Sequence, residues 1–550
     1  MVWRAEDPQG NEAAKVKYLI VPYTRGRGLD LGCGPFKAFP HFTGVDNGHH
    51  ARQFGWQMQP DVHVDTCENL SLFASGSMDF VFSSHLLEHI EDTRKTLKEW
   101  WRVLRNGGHL VLYLPHKDLY PNIGQPGANP DHKHDFMPVD VIEHMRAIGD
   151  CDLVVNETRG DGQEYSFLQV YKKNTNGKCS LTYQTPKPDK TACFVRYGGI
   201  GDLLQAATIA PSLKEQGYHV TMMTTPHGAE LLAGNPHIDA FIVQDKDQVP
   251  NEELGPYWAA WAPRFDRFIN LCEVVEGGLL AMPGRMSHSW SLSARQKILG
   301  TVNYYERMAD IAGVPYKFGP SFFPSAEEKA RAAKQRKAMP EGDVILWSLA
   351  GSSIHKAWPY TDIVVDQLMR ETDSTVVLVG DETCQLLEEA ILEGVLFKHG
   401  LPQGLVMEAI KQDGLAGLEA LALRLFGRER ILCRSGKWAV RDVLAFAEHC
   451  AVIVGPETGI LSGAAFLPVA KVLMLSHSSP ENLCKHWKNT TALMAGVECQ
   501  PCHLMQYGRE FCPEHKETSA SMCMGMLHPE AVYDAIRGRQ PKVKLHAVAQ

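Results

Sequence analysis

Residues 191–205 read TACFVRYGGIGDLLQ, and the fold class turns on that stretch. Ala192 to Val195 form an apolar run of strand type, Gly198, Gly199 and Gly201 make a turn, and Leu203, Leu204, Ala207 and Ile209 follow at helical spacing. The pattern is a strand–turn–helix start. A dinucleotide-binding loop would carry a third glycine at the GxGxxG spacing and its acid at the end of a second strand. Here the acid, Asp202, stands directly behind the glycines. A similar start lies near the N-terminus, where residues 28–35 read GLDLGCGP. Two starts imply at least two domains.

Size and composition agree. The chain of 550 residues is too long for one core. With 44% hydrophobic and 22% charged residues it has the balance of an ordinary globular protein. The net charge of −9 argues against a broadly basic nucleic-acid surface, though not against a local basic groove. The opening residues lack a basic segment followed by an apolar one, so no signal peptide is expected. No apolar run reaches the roughly 18–20 residues that span a bilayer. Most of the 14 cysteines are isolated, as in a reduced compartment, and the expected location is cytoplasmic.

In the N-terminal region, Leu29, Asp30 and Leu31 suit a buried strand, and Gly32 and Gly34 permit the turn and close backbone approach a cofactor requires. A second strand, FTGVD, ends in Asp46, where a carboxylate suits the two hydroxyls of a ribose. A third, DVHVD, ends in Asp65. A fourth, Phe80 to Phe82, runs into Ser83, Ser84 and His85; a helix from Thr93 to Leu104 leads into a fifth, HLVLYLP. Strands alternating with helices predict a parallel doubly wound sheet.

This series resembles the class I S-adenosylmethionine-dependent methyltransferases over residues 1–172, through DLGCGP, GVD, the Asp65 strand, LLEHIED and VLRNGGHLVLYLP. The resemblance implies S-adenosylmethionine as cofactor, with Asp30, Gly32 and Gly34 on its methionine side, Asp46 on its ribose and Asp65 near its adenine. For the acceptor, His85, His89, His116, His132 and His134 are available as bases, and none can be assigned. Asp131 to Pro138, DHKHDFMP, is either a source of metal ligands, a lid, or a polar loop before a helix over Val139–Met145.

Residues 173–190 are rich in Lys, Thr, Asn and Pro and read as a linker. Beyond them strands are expected at 218–224, 240–243 and 268–271, then a long helical stretch from Ser291. A second Rossmann-like half begins at Val344 and continues through TVVLVGD, AVIVGPETGILSGAAF and VAKVLML. Leu386 to Arg434 reads as helical, with core packing the expected task of its leucines.

YGGIGDLLQA, FINL, LAGSSIHKAWP, VGPETGILSGAAF and LMLSHSSPENL resemble glycosyltransferase family 9, the heptosyltransferase-type enzymes. The resemblance implies a GT-B fold, with an acceptor domain over 191–338 and a nucleotide-sugar domain over 339–540. It implies Asp202 as the base beside Gly201, and Lys356 as the phosphate-binding lysine, with Ser352 and Ser353 as added donors. The family commonly has Asp-Thr-Gly followed by His at the diphosphate; this chain has Glu457, Thr458, Gly459 and then Ser462. The family's default donor is ADP-heptose, and those changes leave another nucleotide-sugar open.

Cys499, Cys502, Cys512 and Cys523 crowd into one tail segment, 499–523. Four thiols at such spacing suit a tetrahedral Zn or Fe centre. Certain autotransporter heptosyltransferases of family 9 carry a similar iron-binding finger. The combined expectation is an α/β chain with a Rossmann-like methyltransferase domain followed by a GT-B fold. It would be a bifunctional enzyme that glycosylates and methylates a saccharide or glycoconjugate acceptor; a homo-oligomer is compatible. The alternatives are a viral nucleobase- or DNA-modifying transferase and a non-catalytic assembly protein built on enzyme folds.

Overall fold

Strand β1 (Gly28–Leu31) is buried at all four positions, as a strand covered on both faces of a parallel sheet must be. The computed structural model describes residues 11–49, 60–182, 188–275, 279–351, 354–505 and 512–538. β1 lies parallel to β2 (Thr43–Asp46) on one side and β4 (Met78–Ser84) on the other, with Asp30 opposite Gly44 and Phe82. With β3 (Val62–His63), β5 (Leu104–Pro115), β6 (Cys151–Arg159) and β7 (Ser166–Lys173) they form a sheet in the order β3-β2-β1-β4-β5-β7-β6. Strand order reverses between β1 and β4, the switch at which doubly wound sheets open a crevice beyond the strand carboxyl ends. The helix Thr93–Val103 is capped by Asp92, which accepts the Lys95 N–H at 3.0 Å. It buries Leu97 and Trp100, and the Trp100 indole donates to the Cys67 carbonyl at 2.8 Å.

Two features depart from the sequence pattern. β6 and β7 pair antiparallel, and the segment expected to be linker adds to that edge: Ser180 exchanges backbone hydrogen bonds with Cys151 and Leu153 at 2.9 and 2.8 Å. The chain divides into two compact units, Met1–Lys190 with Ile242–Arg267, and Thr191–Phe241 with Phe268–Gln550. Residues 242–267 thus belong to the first unit. Asp245 accepts from Arg25 Nε at 2.8 Å and the Gly26 N–H at 2.9 Å. Gln248 donates to the carbonyls of Val21 and Thr24 at 2.8 and 2.9 Å.

The second unit holds two sheets. β8 (Thr191–Val195), β9 (His219–Thr224), β10 (Ala240–Val243) and β11 (Arg267–Asn270) run in the order β10-β9-β8-β11. β12 (Val344–Ser348), β13 (Thr375–Val379), β14 (Ile431–Cys433), β15 (Val452–Pro456), β16 (Ala470–Met474) and β17 (Thr490–Leu493) run β14-β13-β12-β15-β16-β17, all parallel. The long helical stretch expected from Ser291 is two helices, Leu292–Leu299 and Tyr304–Ala312. Asn303 caps the second by accepting from the Tyr305 and Glu306 N–H groups. Residues 386–434 form helices Gln385–Lys398 and Gln403–Phe426, kinked at Gly414, and then β14; Leu392, Leu396 and Leu418 are buried. No helix among the described residues is long and apolar enough to cross a membrane.

Arg441 ties the second unit together. Its guanidinium bonds both Glu328 oxygens, at 2.6 and 2.8 Å, and donates to the carbonyls of Glu230, Leu231, Ala233 and Phe323. Both charged side chains are about a tenth exposed. Arg441→Met leaves the Glu328 carboxylate buried without its cation, so an unfolding free energy lower by about 3–5 kcal/mol is expected. Urea unfolding followed by tryptophan fluorescence measures it; an unchanged midpoint would refute the assignment.

Candidate functional sites

In the first unit, a cavity of about 670 Å³ lies at the β1/β4 switch, lined among others by Asp30, Gly32, Gly34, Asp46, Thr66, Cys67, Glu88, His89 and His132. Gly32 and Gly34 have φ of 69° and 52°, where a side chain would strain the backbone. A Cβ on Gly34 would meet nothing within 4 Å, so the turn leaves room against its backbone. Asp46 closes the turn: its carboxylate accepts from the Gly34 N–H at 3.0 Å and the Gly48 N–H at 2.6 Å. Asp30, 2% exposed, accepts from the Ala38 N–H at 2.9 Å. Burial pushes its carboxyl up to about 7 against that bond and Lys37. Asp65 is exposed and does not line the cavity; its neighbours Thr66 and Cys67 do.

The acceptor histidines separate. Burial holds the His85 imidazole neutral, down to about 3, and Ser166 Oγ meets its Nε2 at 2.9 Å. His85 and His89 line the cavity with His132, whereas His116 and His134 do not. Glu88 is fully buried among these rings, and burial pushes its carboxyl up to about 8.

In the second unit, a cavity of about 730 Å³ is lined from both sheets: Gly198 to Asp202 after β8, Lys356 after β12, and Glu457 to Gly459 with Ser462 after β15. Asp202 Oδ2 accepts from the Gly199 N–H at 3.1 Å, and Oδ1 pairs with Arg196 Nη2 at 3.0 Å. Arg196, 1% exposed, is anchored by donating to the Leu271 carbonyl at 3.1 Å. Ser462 Oγ would lie 3.4 Å from a Cβ on Gly201, and Ile200 Cβ only 2.5 Å from one on Gly459. The two turns therefore meet through their glycines. Thr458 caps the five-residue helix Gly459–Gly463 and accepts from Ser348 Oγ at 3.0 Å.

Lys356 is 6% exposed and donates to the Glu457 carbonyl oxygen at 3.0 Å. Burial lowers its ammonium from the ordinary lysine range, and Glu457 and Asp202 oppose that shift. The Glu457 carboxylate faces a set of protein partners. Ser476 donates through N–H and hydroxyl at 3.2 and 2.6 Å, the Ser478 N–H at 2.9 Å, and His477 Nε2 lies 3.2 Å away. Burial opposes its ionisation, but His477, Lys356 and the serine donors outweigh burial and hold it down at about 2. Burial opposes a charge on His477 as well, and the Glu457 carboxylate favours one.

Ser352 and Ser353 lie outside the described residues. Arg196 and the Ser476–His477–Ser478 partners are not singled out by the sequence reading. An arginine ending an apolar strand just before the glycine turn is the one signal that pointed to Arg196. Trp438 and Asp381 also line this cavity.

Cys499, Cys502, Cys512 and Cys523 are free thiols. Burial raises all four, Cys502 and Cys523 to about 12, and neighbouring cysteines raise Cys502, Cys512 and Cys523 further. No three of them bring their sulfurs within 4.8 Å of one another, whereas Glu88, His89 and His132 do gather three ligand atoms within that distance.

A methyltransferase-domain family model matches residues 29–112, which contain Asp30, Gly32, Gly34, Asp46, Glu88 and His89. No curated protein matches the sequence. Among solved structures, the chain is similar to the ADP-heptose lipopolysaccharide heptosyltransferase II of E. coli, with 14% identity, 63% of this chain and 98% of that one covered, and a TM-score of 0.41. It is similar to a glycosyl transferase family 9 protein from Veillonella parvula, with 13% identity, 64% and 98% covered, and a TM-score of 0.43. It is also similar to an S-adenosylmethionine dependent methyltransferase from Mesorhizobium loti, with 18% identity, 29% of this chain and 98% of that one covered, and a TM-score of 0.24.

Glu457 makes a pH prediction. Its folded pKa lies below its unfolded value, so its stabilisation is complete above about pH 4.5 and is lost as pH falls towards about 2. Glu457→Gln is expected to flatten that loss. Urea unfolding between about pH 5 and pH 3 checks it through the slope of unfolding free energy against pH; equal slopes in both proteins would contradict the assignment.

Proposed function

We propose that the chain is a bifunctional transferase, with methyl transfer in the first unit and glycosyl transfer in the second. The methyl reading is supported by the methyltransferase-domain match over residues 29–112. The cofactor's residues fit it: Asp46 stands at the end of β2, and Gly34 leaves open space against its backbone. When bound, S-adenosylmethionine supplies an electrophilic methyl group. Asp46 would hold the ribose hydroxyls, and the Gly32–Gly34 turn the methionine portion.

The glycosyl reading rests on one observation: an acid from the first sheet's turn and a buried lysine from the second sheet's loop line the same cavity. In the proposed step Asp202 takes the proton of an acceptor hydroxyl. The oxygen then forms a bond to the anomeric carbon as the bond to the nucleotide diphosphate breaks. Lys356, with the Thr458 hydroxyl, meets the charge that develops on the leaving diphosphate. Arg196 keeps the Asp202 carboxylate aimed without touching substrate. Glu457 takes a different part from the one its motif suggests: its carboxylate is consumed by Ser476, Ser478 and His477, so it positions Lys356 through its carbonyl. The donor class is a nucleotide-sugar of ADP-heptose type, and the acceptor a saccharide or glycoconjugate. A reduced, cytoplasmic setting fits the isolated cysteines.

Asp202→Asn tests the assignment. Sugar transfer from a radiolabelled nucleotide-sugar should fall by about 100-fold or more, while calorimetry finds S-adenosylmethionine binding unchanged. Transfer at the parental rate would remove Asp202 from the role of base. Mass spectrometry of ligands retained by the purified protein would identify the donor.

A further inference from the structure

The carboxylate of Glu88 is fully buried and faces the cavity of the first unit, yet among the described residues neither oxygen has a hydrogen-bond partner. Leaving a buried carboxylate unsatisfied is costly. Its neighbours are imidazoles: His132 Nε2 at 3.9 Å and His89 Nε2 at 4.0 Å from Oε1, with His85 Nδ1 at 3.7 Å. None is at hydrogen-bond distance.

The rings are held in place by other contacts. His89 Nδ1 lies 3.3 Å from the Asp131 carbonyl, which can only accept, so Nδ1 carries the proton and Nε2 presents its lone pair towards Glu88. His132 packs edge-on to His89, with ring centroids 4.8 Å apart, and lies against Tyr120. Lys133 and His134 donate backbone N–H groups to the Glu88 carbonyl at 2.7 and 3.2 Å, which pins the histidine-bearing loop to the segment carrying Glu88 and His89.

We propose that Glu88, His89 and His132 bind a divalent cation of the zinc or manganese type, which holds an oxygen of the methyl acceptor. The site's chemistry fits: two imidazoles and one carboxylate from two chain segments leave open positions for water or substrate. Bonds near 2.1 Å around such an ion put neighbouring donor atoms about 3–3.5 Å apart. The observed 3.9 and 4.0 Å are within reach of a small inward movement of the side chains. The three donors share their cavity with Gly34 and Asp46, the residues proposed for the cofactor. A hydroxyl bound to the ion is thereby placed within the same chamber as the methyl group. The acceptor role rests on the methyltransferase reading; the cation site does not.

The test uses the full-length protein stripped with chelator and dialysed. Zn²⁺ and Mn²⁺ uptake is measured by calorimetry and elemental analysis for the parent, Glu88→Gln and His132→Gln. The parent is expected to take up about one equivalent more than either variant, or to bind that equivalent at least tenfold more tightly. Reading the difference between proteins removes any contribution from the cysteines. Glu88→Gln should melt no lower than the chelated parent, because it replaces an unsatisfied buried carboxylate by a neutral isostere, and that establishes folding. Equal uptake by all three proteins overturns the proposal. S-adenosylmethionine calorimetry on the same samples judges the methyltransferase reading separately.

Discussion

The contact on which the second unit depends is one made by missing atoms. Gly459 lies against Ile200 so closely that a Cβ would stand 2.5 Å from the isoleucine's own Cβ, an atom fixed to the backbone. Gly201 faces Ser462 in the same interface. Two turns at the carboxyl ends of two different sheets are thus brought into backbone contact. That closeness places Asp202, from one sheet, in the cavity that also holds Lys356 and Thr458 from the other. The side chains at this junction also serve as caps. Asp202 accepts from the N–H at the start of its own helix, and Thr458 accepts from the Leu461 N–H. Orientation is therefore set by the fold before any ligand arrives.

Glu88 and Glu457 show how burial alone fails to define a carboxylate's task. Both are withdrawn from solvent, one in each unit. Glu457 accepts three hydrogen bonds from Ser476 and Ser478 and lies beside His477, so its charge is satisfied within the protein. It is a positioning group. Glu88 lies among imidazole rings instead and accepts none from the described residues. The difference is one of donors, not of depth, and it separates a completed network from one that calls for a further partner.

Much of this was legible in the chain. Strands such as β8, β12 and β13 are unbroken apolar runs because both their faces are covered, and glycine turns with a following acid mark where such strands end. β7 hid because it buries polar side chains. Gln169 is fully buried in it, satisfied by Pro138, Asn156 and Tyr171, so the apolar run is interrupted. β6 is an edge strand of mixed exposure and reads as neither period. The membership of residues 242–267 rests on Asp245 and Gln248 meeting chain more than two hundred residues away, which no local pattern encodes. At the sites, Asp30, Gly34, Asp46, Asp202 and Lys356 line the two cavities. The part of Glu457 was hidden in partners nineteen and twenty-one residues further on. For the four cysteines of the tail, no three sulfurs lie within 4.8 Å of one another, and the expected metal centre rests on their spacing in sequence.

On the proposed reading, the charges of the second cavity suit its lysine to an anion. Arg196 and Asp202 neutralise each other at 3.0 Å, and Glu457 is committed to Ser476, Ser478 and His477. Among the described residues, Lys356 has a carbonyl oxygen as its bonded partner, and burial makes its positive charge costly. A carbonyl offers a dipole where an ammonium in low dielectric calls for a full negative charge. On the proposed reading, a nucleotide diphosphate brings that charge. The gain is larger when charge accumulates on the leaving group than in the ground state, which is the condition for binding to become catalysis. Had Glu457 turned its carboxylate towards Lys356, the pair would have closed on itself and the cavity would lose its attraction for phosphate. The serines after β16 prevent that by holding the carboxylate away.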